Sequence, residues 1–383
     1  MNKFYEIHAQ LSACLQERNQ IFPQRDEEND RKVQEGLDSF VDYIDQSLEK
    51  KFVIDPQLIS KVRAVRQQPV FLCGAMKSGT TLLLELLDGH PELITLPGDS
   101  FFIGRIQKEK PPSHENLNEA WRGWVKRMVN PTGQAPFWIF GEQVEPYVYF
   151  YQALQHWYDQ MPDTWRSSVL SVVLAYFCAN PSRPLSPKLW VEKTPGNEFK
   201  VKEILDDFPS ARFIHIVRDP RENLASLKRL YATRNWSWQP AGIADMLARS
   251  CRAAAMNQKE LGHERYHVLR YEDLTDDPAG HMKRIGGFLG VGWHETMLGP
   301  TVNGLSAHAN SMYKERQVTG AVRKSPQNKW RTVLTGPEQR MALNTRNSTG
   351  ELGYSWEITT KDTLLLPLDM IWDKIKRTLR LAG

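Results

Sequence analysis

The sequence predicts an α/β fold with a central parallel sheet covered by helices on both faces. Three observations lead there. Four short apolar runs recur along the chain: PVFLC (69–73), KLWVE (188–192), RFIHIV (212–217) and YHVLRY (266–271). Each is followed by helical spacing, from Thr80, around 197–207, from Pro220 and around 278–289. The first run enters its helix through a tight turn with two glycines, GAMKSGTT. Strands that alternate with helices join as parallel neighbours, and such sheets bind ligands at the carboxyl ends of their strands.

The flanks read differently. Residues 1–68 are helical in pattern: Phe4, Ile7, Leu11 and Leu15 mark one stripe, and Val33, Leu37, Phe40, Val41, Ile44 and Leu48 mark a second. We read 1–68 as an appendage that packs on the core, with a dimerisation element as the alternative. Residues 69–335 form the α/β domain. Within it, 100–187 is a helical insertion rich in aromatics: Trp121, Trp124, Phe137, Trp138, Tyr147, Tyr149, Trp157 and Trp165. These rings are read as core, with an acceptor pocket as the alternative for some. Residues 336–383 form a helical tail. After Pro367, Leu368, Ile371, Trp372, Ile375 and Leu379 share a face that excludes Lys374, Lys376, Arg377 and Arg380. Docking on the protein's own core is expected; peripheral contact with a membrane surface is the second reading.

Bulk properties narrow the class. With 383 residues the chain can bury a large core, and 49 basic against 45 acidic side chains leave +4, which predicts no nucleic-acid partner. Cys14, Cys73, Cys178 and Cys251 are scattered without a C-x-x-C pair, so neither zinc nor a redox motif is expected. The polar start MNKFYEIHAQ lacks the apolar core of a secretory signal, and no window approaches the roughly 18 apolar residues of a membrane span. A cytoplasmic protein without a transmembrane segment is the expectation.

The turn at 74–81 carries the chemistry. A strand that turns into a helix leaves the first helical N–H groups unpaired and aimed at one spot, where the helix dipole favours anions. Gly79 permits close backbone approach and Lys77 adds a positive charge. This makes the sheet a P-loop-like three-layer sandwich. The nucleoside-triphosphate loop has Lys directly after its second Gly. Here Gly74 and Gly79 keep that spacing, but Thr80 stands in the Lys position. A donor group with less charge to neutralise than a terminal phosphate suits such a loop, and a sulfuryl group is one.

The third run ends in VRDPRENLASLKR (217–229). Arg218 sits at the carboxyl end of a strand, and its guanidinium fork matches phosphate oxygens. Ser226 follows on the next helix and can meet the same anion if the chain reverses at RDP. An Arg218–Asp219 pair at the helix start is the plainer alternative. With the first cradle, Arg218 makes a second phosphate site, as needed by a nucleotide phosphorylated at two positions.

KSGTT followed by a helix, then VRDPRENLAS, then YEDL, resembles the sulfotransferases that use 3′-phosphoadenosine 5′-phosphosulfate (PAPS), over residues 69–335. The pattern is most similar to the broad group that includes bacterial and tyrosylprotein sulfotransferases. The resemblance implies that Lys77, Ser78, Gly79, Thr80 and Thr81 bind the 5′-phosphosulfate, with Lys77 stabilising the bridging oxygen. It implies that Arg218 and Ser226 bind the 3′-phosphate, that Tyr271 contacts the adenine, and that Lys329 in QNKWR reaches the cofactor from a late loop. Without it, Tyr271 reads as a core ring at a strand end and Lys329 as a solvated charge. EKTP (192–195) resembles a further motif whose Lys, here Lys193, lies near the transferred group, and Glu192 is expected to orient it. Relatives carry a Glu base in a segment resembling HPELITLPGDSFF; here Asp99 takes its place, one methylene shorter, and it also reads as a turn residue after Gly98. Glu92, His90 and His114 are the other candidate bases, although His90 is expected to cap the helix end.

The implied reaction is in-line transfer of a sulfuryl group from PAPS to a hydroxyl, or less readily an amine, of a small molecule, saccharide or lipid. Lys77, Asp99 and Lys193 are its catalytic residues, no metal takes part, and the 3′,5′-bisphosphate (PAP) is the product. A P-loop small-molecule kinase and a nucleotide-binding protein without turnover are the rival readings.

Overall fold

The computed structural model describes residues 3–21, 26–47, 55–65, 68–100, 117–129, 138–160, 165–307, 321–324 and 328–381. Strands β1 (Pro69–Cys73), β2 (Leu93–Thr95), β3 (Leu189–Lys193), β4 (Arg212–Val217) and β5 (Tyr266–Arg270) form one sheet in the order β2-β3-β1-β4-β5. All four pairings are parallel. The helices are α1 (Lys3–Ile21), α2 (Glu27–Ser47), α3 (Pro56–Val65), α4 (Thr80–Leu87), α5 (Leu117–Val129), α6 (Glu145–Asp159), α7 (Trp165–Ala179), α8 (Val201–Asp207) and α9 (Pro220–Thr233). They continue with α10 (Pro240–Leu261), α11 (Tyr271–Asp276), α12 (Pro278–Leu289), α13 (Trp330–Val333), α14 (Gly336–Ala342) and α15 (Thr360–Leu381).

Side-chain alternation along the strands divides the interior in two. Val70, Leu72, Leu93, Val191, Ile214, Ile216 and Leu269 pack with Leu83, Leu84 and Leu87 of α4 and Met282, Ile285 and Leu289 of α12. On the other face, Phe71, Ile94, Trp190, Phe213 and Tyr266 join α6, α7 and α8 in one cluster with Phe4, Leu11 and Leu15 of α1 and Val33, Leu37 and Phe40 of α2. The sheet is therefore the middle layer of three, and the first two helices pack on the same core as the insertion. Trp124, Trp138, Tyr147 and Trp157 are buried there. Phe40 meets Trp138 and Tyr147 edge to face, at centroid separations of 5.0 and 5.1 Å. Of the other aromatics, Phe137 and the side chains of Trp121 and Trp165 lie outside the description.

Five findings differ from the sequence reading. A fifth strand, β2, lies in HPELITLP, where three residues beside turn formers give too short an alternation to recognise. The β3 strand runs one residue later, so Lys193 belongs to it. Tyr271 is not at a strand end but opens α11. The tail helix begins at Thr360, before Pro367, because Thr359 and Asp362 cap it reciprocally: Thr359 N donates to Asp362 Oδ2 (3.1 Å) and Asp362 N to Thr359 Oγ1 (3.2 Å). Its docking face is also reversed. Asp369 accepts from Arg340 Nε (2.6 Å) and Asp373 from Ala241 N (3.2 Å), while Leu368, Ile371, Trp372 and Ile375 are exposed. The side chain of Leu379 is outside the description.

Candidate functional site

The cradle joins β1 to α4 at the carboxyl edge of the sheet. Gly74 has φ 141°, and a Cβ there would stand 2.5 Å from the Ile216 carbonyl. Gly79 has φ 113°, and its Cβ would stand 2.4 Å from Cδ2 of Tyr271. Both turns thus require glycine, and the close approach expected at Gly79 is to the Tyr271 ring. Lys77 also has positive φ, 69°, which is uncommon for a residue with a long side chain and is typical of functional loops. Burial first, and then the charges of Arg218 and Lys193, lower its pKa to about 8. Three cations therefore press on one another at the end of the sheet.

Arg218 is placed by the end of β4. Its guanidinium lies 4.6 Å over the Tyr271 ring, and Nη1 donates to the Lys77 carbonyl at 3.2 Å. Asp219 does not neutralise it. That carboxylate caps α9 through Arg221 N (2.9 Å) and pairs with the Arg221 side chain at 2.6 Å. Arg218 Nε is consequently buried without a hydrogen-bond partner, as is Ser78 Oγ in the loop. Buried donors left unpaired call for a partner, and a bound anion is one that both could meet.

Lys193, at the end of β3, is 4% exposed. Its Nζ donates to Thr81 Oγ1 (3.0 Å) and forms an ion pair with Asp99. The loop after β2, the cradle helix and β3 meet at this one ammonium group.

The Sulfotransferase family model matches residues 69–295. This chain belongs to the sulfotransferase family. It is 26% identical over 310 residues to the omega-hydroxy-beta-dihydromenaquinone-9 sulfotransferase Stf3 of Mycobacterium bovis, covering 70% of this chain and 75% of that one. The protein of the same name from Mycobacterium tuberculosis gives the same figures. The sulfotransferase domain of the Synechococcus PCC 7002 olefin synthase superposes with a TM-score of 0.50 at 19% identity, over 80% of this chain and all of that one.

Several residues of this sulfotransferase stand apart from their expected places. Glu192 does not touch Lys193, since neighbours in a strand point to opposite faces. It is fully buried and accepts from Ser100 Oγ, from Thr194 Oγ1 (2.5 Å) and from Asn197 Nδ2 (2.8 Å), and burial raises its pKa. It therefore braces Ser100, the neighbour of Asp99. His90 does not cap α4. Its Nδ1 accepts from Glu92 N (3.1 Å) and its Nε2 meets the Gly292 carbonyl (2.8 Å), while Glu92 pairs with Lys188. Both precede β2, at the amino end of the sheet, and so lie away from the cradle. His114 lies outside the described residues.

Ser226 is half-buried on α9, one turn beyond Glu222. Glu222 in turn accepts backbone hydrogen bonds from Trp330 and Lys329, so α13 is tied to this helix although the Lys329 side chain is exposed. Thr80 is buried at the first position of α4.

Two carboxylates escaped the sequence reading. Glu85 sits one turn after Thr81, and burial raises its pKa to about 8, against the pull of Lys193. A lone acid in the apolar run TTLLLELL was its signal. Glu198 accepts from Gly74 N (3.2 Å), Gly196 N (3.1 Å) and Ser250 Oγ (2.6 Å), and so fastens the start of the cradle to α10. No local pattern marks it.

Proposed function

We propose that this sulfotransferase takes its sulfuryl group from PAPS and delivers it to a hydroxyl-bearing acceptor of lipid character. The observation that carries the donor assignment is the convergence of Lys77, Lys193 and Arg218 at the sheet's carboxyl edge, where burial first and then the other two cations destabilise the Lys77 ammonium. Such crowding is relieved by a polyanion. Buried Ser78 Oγ and Arg218 Nε supply unpaired donors for it, so the residues present fit the nucleotide.

Residues 69–335 would carry the reaction. Lys77, Ser78, Gly79, Thr80 and Thr81 would hold the 5′-phosphosulfate, and Arg218 with Ser226 the 3′-phosphate. Tyr271, under the Arg218 guanidinium, would receive the adenine, and Lys329 would close over the nucleotide from α13. When bound, PAPS supplies the sulfuryl group. Asp99 accepts the proton of the acceptor hydroxyl. Lys77 and Lys193 stabilise negative charge as it develops on the departing side, which is the electrostatic role fixed cations serve best in a buried site. Because Lys193 contacts both Thr81 and Asp99, it sets the distance between the cradle and the base.

The lipid assignment draws on the relative named as an omega-hydroxy-menaquinone sulfotransferase. The test is incubation of the protein with isotopically labelled PAPS and separate pools of lipids, saccharides and small polar metabolites, followed by mass spectrometry. Label entering the lipid pool is expected. Binding of ATP with Mg²⁺ and neglect of PAP would defeat the donor assignment; label confined to polar acceptors would defeat only the lipid part.

A further inference from the structure

The outer face of α15 is apolar and uncovered. Leu364, Leu368, Ile371, Trp372 and Ile375 are 69, 61, 56, 56 and 42% exposed. At 100° per residue they fall on one arc of roughly 100°, the width of a face that normally packs against something. The helix has 22 residues and is about 33 Å long. Among the described residues no helix is long and apolar enough to cross a membrane, so this face is not part of a span.

Charge identifies what would cover it. The acids of α15 are all turned inward or spent: Asp369 binds Arg340, Asp373 accepts the Ala241 N–H, and Asp362 caps the helix with Thr359. Every charged residue described as exposed on the helix is a lysine: Lys361, Lys374 and Lys376. Lys376 lies 5.4 Å over the ring of Trp372, at the edge of the apolar arc. A second copy of this chain, pairing through the same face, would bring lysines toward lysines with no acid on that face to offset them. A bilayer with anionic headgroups meets both halves of the pattern. Its acyl boundary accepts the five apolar side chains, and its phosphates accept the lysines that flank them. Tryptophan at that edge is typical of the interfacial depth.

We propose that α15 lies in the surface of an anionic lipid bilayer and holds this sulfotransferase there. The proposal does not depend on the donor or acceptor assignment, since none of these side chains belongs to the cradle.

The test is co-sedimentation of the full chain with phosphatidylcholine vesicles, with and without phosphatidylglycerol, at low and high salt. Each lysine near an anionic surface contributes about a fivefold factor, so the anionic vesicles should bind roughly a hundredfold more tightly than the neutral ones, and high salt should erase much of that. Lys374→Gln with Lys376→Gln should remove most of the preference. Leu368→Gln with Ile371→Gln should reduce binding at least about tenfold on either vesicle. All four sites are exposed, so thermal melts and PAP binding should match the parent. Equal binding to both vesicles, or full binding by the Leu368→Gln, Ile371→Gln protein, overturns the proposal. So does absence of vesicle binding together with a dimer that the same substitutions dissociate.

Discussion

Lys77 offers a direct measure of whether the cradle holds a polyanion. Its ammonium is depressed from 10.5 to about 8, chiefly by burial and then by Arg218 and Lys193. At pH 8 the unliganded protein is therefore about half protonated there. A bound bisphosphate places opposite charge beside it and should return the pKa to the ordinary lysine range. Binding at pH 8 must then take up about half a proton at Lys77, rising to about 0.9 at pH 9 and falling to about 0.1 at pH 7. The same recovery, about 2.5 units, corresponds to about 3 kcal/mol of coupling between Lys77 and the ligand. Affinity should accordingly decline as pH rises from 8 toward 10. Calorimetric titration with PAP in two buffers of different ionisation heat reads the protons directly. Subtracting the Lys77→Met protein removes contributions from the ligand's own phosphates and from Glu85. A difference near zero at pH 8 and 9 would refute the reasoning, because a lysine that does not respond to the nucleotide is not in contact with it.

Arg218→Ala should weaken PAP by about 10- to 100-fold, the worth of a charge-assisted hydrogen-bond pair, yet leave 5′-AMP nearly unchanged; equal losses for the two ligands would contradict the 3′-phosphate role. Asp99→Asn should lower kcat by about 10²- to 10⁴-fold with little change in PAP affinity, as expected for loss of a general base, and near-parental turnover would clear Asp99 of that role. Glu85, with a folded pKa of about 8 against 4.5, stabilises the fold fully below pH 4.5 and loses that contribution as pH rises through 8. Glu85→Gln should therefore flatten the fall in stability between pH 5 and 8 by about 4 kcal/mol, read from denaturant melts, and an unchanged slope would refute the burial argument. Gly79→Ala forces a Cβ to within 2.4 Å of the Tyr271 ring in a strained backbone, and it should cost about 1–3 kcal/mol and impair PAP binding; a neutral result would mean that the ring is free to move away.

The parallel sheet, the strand–turn–helix cradle and the proline-led start of α9 were legible because each is encoded over a few neighbouring residues. An apolar run, a glycine at positive φ and a proline in the first helical turn act locally, and their spacing survives in one dimension. The three-residue β2 was not legible, because so short a run carries no periodicity to recognise. Glu192 was misread for a related reason: adjacency in sequence suggests contact with Lys193, but the pleat sends strand neighbours to opposite faces.

The amino-acid sequence alone determined the class of fold, the glycine turn between β1 and α4 and the cations at strand ends. Only the tertiary structure decided which charges meet. It paired Lys193 with Asp99 across 94 positions, gave Asp219 to Arg221 and so left Arg218 Nε unpartnered, and turned α15 by its aspartates toward the protein, with its leucines and isoleucines outward. The physical reason is the range of the forces: backbone geometry is set between neighbours, whereas ion pairing and burial depend on which distant surfaces the packed core brings together.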